Sequence, residues 1–288
     1  MVEDLVRPKG PFSLRASARL AGDATRRFNG RVLLCLFELD ERLERAAAWQ
    51  ETDGAIALRA LSEDGLERIK AVLPLEADHT EFLRRFGDDP LLRRPIRELR
   101  GVRPLRLGSV TQAVLRAICG QLIEAKRARN LERRLIRATS PTDGVLYAPP
   151  EPRAFCEFAP AQLQRFDLSA RKAATLVRLC RTLDLERLRS VPAAGAARRL
   201  ERERGLGPWS VGVISLYGLG SYQFGLVGDL GLIKLCTALL GRRAEAEDTA
   251  ELLAPYGEWQ GLASIYLLAG FARGLLPIPS EQKLVTAA

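Results

Sequence analysis

The sequence predicts a mainly helical protein with a small α+β domain at its N-terminus. Two observations point there. Strand-forming residues concentrate before residue 62, whereas from about Thr80 onward apolar residues recur at helical spacing, segment after segment. Glycine and proline then mark where each segment stops.

The elements follow in order. Arg31–Leu39 (RVLLCLFEL) is apolar and rich in strand formers. Leu43–Gln50 and Ala55–Leu61 flank Thr52-Asp53-Gly54, and Asp-Gly is a strong hairpin signal. Ser62, with Asp64, caps a helix over Gly65–Val72 that sets Leu66, Ile69 and Leu73 on one face. Residues 1–95 are therefore expected to form an antiparallel sheet with a helix, and 96–288 a helical region. In the latter, Val110, Val114, Leu115 and Ile118 define a helix ending at Gly120, and Leu131, Leu135 and Ile136 a second. Pro141–Pro152 is a loop. Pro160–Arg165, Ser169–Leu183 and Ala194–Glu203 read as helices, as do Trp209–Gly218, Asp229–Leu240, Ala246–Leu253 and Trp259–Phe271. Glycines at 218, 220, 225, 228 and 231 break the chain around Asp229 and place it on a turn. The last ten residues read as a loose tail.

Composition narrows the partners. The 288 residues carry 44 Lys+Arg against 35 Asp+Glu, a net charge of +9, which favours an anionic partner. Most of the cations are arginines, suited to bidentate phosphate contacts. Cys35, Cys119, Cys156, Cys180 and Cys236 are dispersed and lack CxxC spacing. They read as buried thiols of a reducing compartment, not as disulfides, zinc ligands or an iron–sulfur cluster. With His79 as the single histidine, His-rich metal sites are excluded. The N-terminus has no apolar signal core and no run approaches a membrane span, so an intracellular, cytoplasmic location is expected, with no membrane partner.

The stretch Arg202–Val213 (RERGLGPWSVGV) is the richest in chemistry. Gly205-Leu206-Gly207 sits between two helical patterns, and Pro208 suits the first turn of the second. Such a turn, with a helix N-terminus behind it, can grip a phosphate without reading base sequence; equally, glycine is an ordinary C-cap. Ser210 could add its hydroxyl. Asp229 before an apolar helical run is a common N-cap, and a capping carboxylate is also one that stays ionised beside a helix N-terminus. It could stabilise a sugar cation or orient a water. Trp209, Tyr217, Tyr222, Tyr256 and Trp259 offer faces for an extruded base, or simply core. Gly120-Gln121-Leu122 interrupts two helices, so Leu122 is either core or a wedge that fills the gap left by a displaced nucleotide. Lys126, Arg127, Arg129, Arg133 and Arg134 form a solvated face or extend a phosphate-binding surface.

Taken together, these segments resemble the helix–hairpin–helix (HhH-GPD) DNA glycosylases, in particular the 3-methyladenine DNA glycosylase II, AlkA-like group. ICGQLIEAKRARNLERRL looks like that family's GQ helix pair, and DGVLYAPPEPRAF and LSARKAATLVRLCRTLDLERLRS like its middle segments. RGLGPWSVGVISLYGLG is similar to the hairpin, VGDLGLIK to the catalytic turn, and WQGLASIYLL to the late tryptophan helix. The resemblance covers residues 100–272 well and residues 1–95 only in the order of strands and helix. It implies a two-lobed helical fold with a cleft between the lobes. It also implies a catalytic Asp229, and DNA contacts from Gly205, Leu206, Gly207, Ser210, Gln121 and the intercalating Leu122. The implied base pocket holds Trp209, Trp259, Val213 and Tyr222. Bifunctional relatives carry a lysine where Trp209 stands, so base release without strand cleavage is expected. Val213 replaces an aromatic common in relatives, which suggests a wider pocket.

The reaction implied is base flipping from damaged double-stranded DNA, then hydrolysis of the N-glycosidic bond in base excision repair. It needs no metal and no cofactor, although the hairpin carbonyls could hold a monovalent cation. A monomer is the expected state. The rival readings are a glycosylase for oxidised or other damaged purines, and a non-catalytic helix–hairpin–helix DNA-binding module.

Overall fold

The computed structural model describes residues 1–278, so the expected tail lies outside the described residues. The N-terminal part forms a five-stranded antiparallel sheet in the order β1-β5-β4-β3-β2. Its strands are β1 (Val2–Val6), β2 (Arg26–Phe28), β3 (Val32–Leu39), β4 (Arg42–Gln50) and β5 (Ile56–Ala60). β3 and β4 pair from Val32↔Trp49 to Leu39↔Arg42. They turn through Asp40 and Glu41, both at positive φ, which matches the twist of a two-residue hairpin. The expected Thr52-Asp53-Gly54 turn joins β4 to β5, with Gly54 at φ +87°.

The edge strands were not legible in the sequence. β2 has three residues, and in β1 Leu5 points to solvent, so the apolar residues do not alternate. Helix α1 (Leu14–Arg19) was missed as well. Helix α2 (Glu63–Val72) covers the sheet with Leu66, Ile69 and Val72. Its N-cap Ser62 accepts from the Gly65 N–H, as expected, and donates to Glu44, a buried carboxylate on β4 that also receives the Leu61 and Ser62 N–H groups.

The helical region is built on α5 (Val110–Gly120), which is buried on nearly every side, as a helix apolar all round must be. Two short helices precede it, α3 (Thr80–Arg85) and α4 (Arg93–Glu98). Neither has a side-chain cap, and they insert Phe82, Phe86, Leu92 and Ile96 into the helical core. After α5 come α6 (Ala125–Thr139), α7 (Arg153–Cys156), α8 (Pro160–Gln164), α9 (Ala170–Thr182) and α10 (Ala193–Glu201). Then come α11 (Pro208–Ile214), α12 (Leu230–Leu240), α13 (Ala246–Leu253) and α14 (Gln260–Ala272). α11 continues into one π-helical turn, Ser215–Leu219. α6, α9 and α11 all pack on α5, so the ends of these helices share one neighbourhood.

Buried charge ties sheet to helices. Arg116 on α5 reaches Asp23 at 3.1 Å and Glu132 on α6 at 3.0 Å, and Arg26 on β2 reaches Asp23 at 3.1 Å. Burial alone would push the Asp23 carboxyl up, but the two arginines outweigh it and hold it below the usual carboxylate range. Arg103, fully buried, donates to the Pro74 and Lys9 carbonyls and to His79 Nδ1.

The cysteines are free. Cys35, Cys119, Cys180 and Cys236 are buried as expected, and burial raises the thiols of Cys35 and Cys180 to about 12. Cys156 departs from that expectation, lying half-buried at the end of short α7. No described helix is long and apolar enough to cross a membrane.

Candidate active site

The hairpin forms because the chain must reverse between α10 and α11. Gly205 takes φ +93°, a left-handed conformation that side chains resist, and a Cβ there would also collide with Thr175 of α9. Leu206 is 7 % exposed and packs in the helical core, and its N–H donates to the Glu203 carbonyl, so the expected DNA contact from Leu206 is not offered by its side chain or its N–H. Gly207 is an exposed, extended N-cap and Pro208 the first residue of α11. That leaves the Trp209 and Ser210 N–H groups at the open helix end. Arg178 braces the turn through Glu203 at 2.6 Å and the Arg204 carbonyl.

Ser210 differs from the expectation that its hydroxyl faces a phosphate. It is 2 % exposed, and its Oγ accepts from Gln121 Nε2 at 3.0 Å. The same Gln121 nitrogen donates to the Gly205 carbonyl at 2.8 Å. Gln121 thus clamps the hairpin to the end of α5 and engages the Gly205 carbonyl. The resemblance implied that Gln121 is itself a DNA contact; its side-chain N–H donates instead to a hairpin carbonyl 84 residues away, which no local signal marks.

Leu122 follows directly. It is 92 % exposed and adopts φ +56°. A large apolar side chain held in solvent, in a backbone region that L-residues avoid, is not part of the core. Beside it, Ile123, Arg127, Leu131, Arg134, Asp167, Ser169 and Lys172 line a cavity of about 170 Å³.

Asp229 is the N-cap of α12. Its Oδ1 accepts from Gly231 N at 2.8 Å and Leu232 N at 3.4 Å, and its Oδ2 accepts from Trp209 Nε1 at 3.0 Å. The capping expectation is met, and the other oxygen of the same carboxylate meets Trp209. The glycine-rich loop ahead of it is pinned. Gly225 packs against Gly212 of α11, Gly261 N donates to the Tyr222 carbonyl, Leu226 N to Ser264 Oγ and Gly228 N to Thr249 Oγ1. Trp209 is located by Gly120: a Cβ at residue 120 would lie 2.5 Å from the indole Cη2. Gln121, Trp209, Ser210 and Asp229 are thus gathered at the junction of α5, α11 and α12.

The remaining aromatic positions form a second group. Trp259 packs on Tyr222 with centroids 6.0 Å apart and on Phe82 at 5.8 Å. Phe82, from α3, was missed because nothing local in its sequence marks it. Trp259 Nε1 and Tyr222 Oη are buried without a hydrogen-bond partner among the described residues. Val213 is 4 % exposed and packs in the helical core.

A structure of a 3-methyladenine DNA glycosylase from Archaeoglobus fulgidus superposes with a TM-score of 0.80 at 20 % identity, over 94 % of this chain and 98 % of that one. The chain has the fold of the helix–hairpin–helix glycosylases. An 8-oxoguanine glycosylase/lyase from Clostridium acetobutylicum shares this glycosylase fold with a TM-score of 0.72 at 18 % identity, over 93 % and 95 % of the two chains. In sequence, a DNA-3-methyladenine glycosylase of Bacillus subtilis is 25 % identical over 217 residues, 71 % of each chain. No family model matches the sequence.

Proposed function

We propose that this chain is a monofunctional DNA glycosylase that releases alkylated bases of the 3-methyladenine type from damaged double-stranded DNA. The name of the Bacillus subtilis relative and the glycosylase fold support the substrate class. The observation that carries the monofunctional reading is the Trp209–Asp229 hydrogen bond. The hairpin helix offers the carboxylate an indole N–H, which donates a proton but has no lone pair to attack a sugar. A Schiff base cannot form at that residue.

In the proposed reaction the hairpin N–H groups grip the backbone and Leu122 enters the stack. The damaged nucleotide swings out towards Trp209, Trp259 and Tyr222, whose rings offer stacking faces to a base. Alkylation at a ring nitrogen makes the base cationic and a good leaving group. As the glycosidic bond stretches, positive charge grows on the sugar, and Asp229, fixed at Oδ1 and Oδ2, stabilises it without having to move. Water completes the hydrolysis, leaving an abasic site. The proposal requires no cofactor, and a monomer suffices.

The test is release of 3-methyladenine from methylated duplex DNA, with Asp229→Asn as the comparison. Asparagine caps helices as well as aspartate does, so the fold is retained while the charge and the bond from Trp209 are lost. Release should fall about a hundredfold or more, with duplex binding unchanged. Undiminished release by the variant would remove Asp229 from the mechanism, and binding without release by the wild type would favour a non-catalytic DNA-binding module.

A further inference from the structure

Leu122 holds a left-handed backbone conformation with almost no contacts of its own. Something else must hold it, and the structure shows two attachments on the preceding residue. Gln121 is tied through its side chain to the hairpin, at the Gly205 carbonyl and Ser210. Its backbone carbonyl accepts from Lys172 Nζ at 2.7 Å, and the same ammonium reaches the Cys119 carbonyl at 3.4 Å.

Lys172 sits oddly for a structural lysine. It lies in the first turn of α9, where its backbone N–H is capped by Ser169 Oγ and where a positive charge opposes the helix dipole. Its ammonium is instead spent on the last carbonyls of α5, the negative end of that helix. It is half-buried, and burial lowers its pKa. Asp167, the carboxylate in the same cavity, pairs with Arg134 at 2.5 Å.

We propose that Lys172 is the positioning residue of the wedge: by binding the Gln121 and Cys119 carbonyls it presets Leu122 in its exposed, left-handed conformation before DNA arrives. The inference rests on the wedge reading of Leu122. Presetting moves the ordering cost of the loop out of the binding step, so losing it weakens only complexes in which the wedge is inserted.

The experiment measures affinity for two duplexes of one sequence, one intact and one carrying a tetrahydrofuran abasic analogue that offers the wedge a gap. Wild type should prefer the abasic duplex. Lys172→Met should lower that preference about tenfold, the equivalent of losing roughly one charge-assisted hydrogen bond, while leaving intact-duplex affinity alone. Leu122→Ala should also lower the preference for the abasic duplex, and the double variant should lose no more of it than Leu122→Ala alone. Lys172→Arg should retain most of the preference. Should the Met variant be unstable, Lys172→Gln gives the same comparison with a shorter donor. Equal weakening on both duplexes, additive losses in the double variant, or a Lys172→Met variant indistinguishable from wild type would each overturn the role of Lys172 alone. A wild type with no preference for the abasic duplex would overturn the wedge reading, and this inference with it.

Discussion

Gly120→Ala is a substitution whose sign differs between local propensity and tertiary packing. Gly120 is the last residue of α5, and alanine in a helix is favoured over glycine by up to about 1 kcal/mol, with a smaller unfolded-state entropy in the same direction. The structure opposes this. A Cβ at residue 120 would stand 2.5 Å from Trp209 Cη2, so the indole must retreat by about 1 Å to reach ordinary contact distance. Retreat breaks the 3.0 Å bond from Trp209 Nε1 to Asp229. Overpacking costs about 1–3 kcal/mol, and a hydrogen bond to a charged acceptor contributes about 1.5–3, less here because both groups are partly exposed. The net expectation is destabilisation by about 1–2 kcal/mol, lowering Tm by a few degrees. Urea and thermal unfolding of Gly120→Ala would measure it. Trp209→Phe, which removes the outer ring, should relieve the clash, so the double variant should be destabilised by less than the sum of the singles. If Gly120→Ala is as stable as wild type or more so, Trp209 is not fixed by residue 120 and the account of how Asp229 is held fails.

Two further outcomes follow from the buried charges. His79 is the single histidine, and burial, then the neighbouring Arg103, lower its pKa to about 4. Between pH 6.5 and 4 the unfolded chain takes up a proton that the folded chain refuses, so stability should be level above pH 6.5 and fall by about 3 kcal/mol towards pH 4. Its lone imidazole NMR resonance should show no titration near pH 6.5, and a midpoint there would refute the burial argument. Arg116→Met leaves the buried Asp23 and Glu132 carboxylates without their shared cation and should cost about 3–5 kcal/mol in urea unfolding; a loss under about 1 kcal/mol would mean the network is solvated.

Much of the helical region was readable because its signals are local. α5 ends at Gly120 as its spacing and glycine predicted, α13 spans the expected Ala246–Leu253, and Ser62 and Asp229 cap the helices they precede. The misses share a cause. β1, β2, α1, α3 and α4 are short, and their apolar residues face partners far away in sequence, so no periodicity marks them. Phe82 against Trp259 is the clearest case.

The candidate site divides along the same line. By itself the sequence determined the types and order of the chemical groups: a glycine hairpin, an apolar break at Leu122, a tryptophan that is not a lysine, and a capping aspartate. These are covalent facts or follow from turns of a few residues. Only the tertiary structure decided which groups face one another. It turned Ser210 inward to Gln121, set Trp209 on Gly120 and against Asp229, and brought Lys172 to the Gln121 carbonyl. The physical reason is that each of these contacts crosses from one helix or loop to another. Their geometry is fixed by how α5, α9, α11 and α12 pack, and that depends on the whole core and not on any window of the chain.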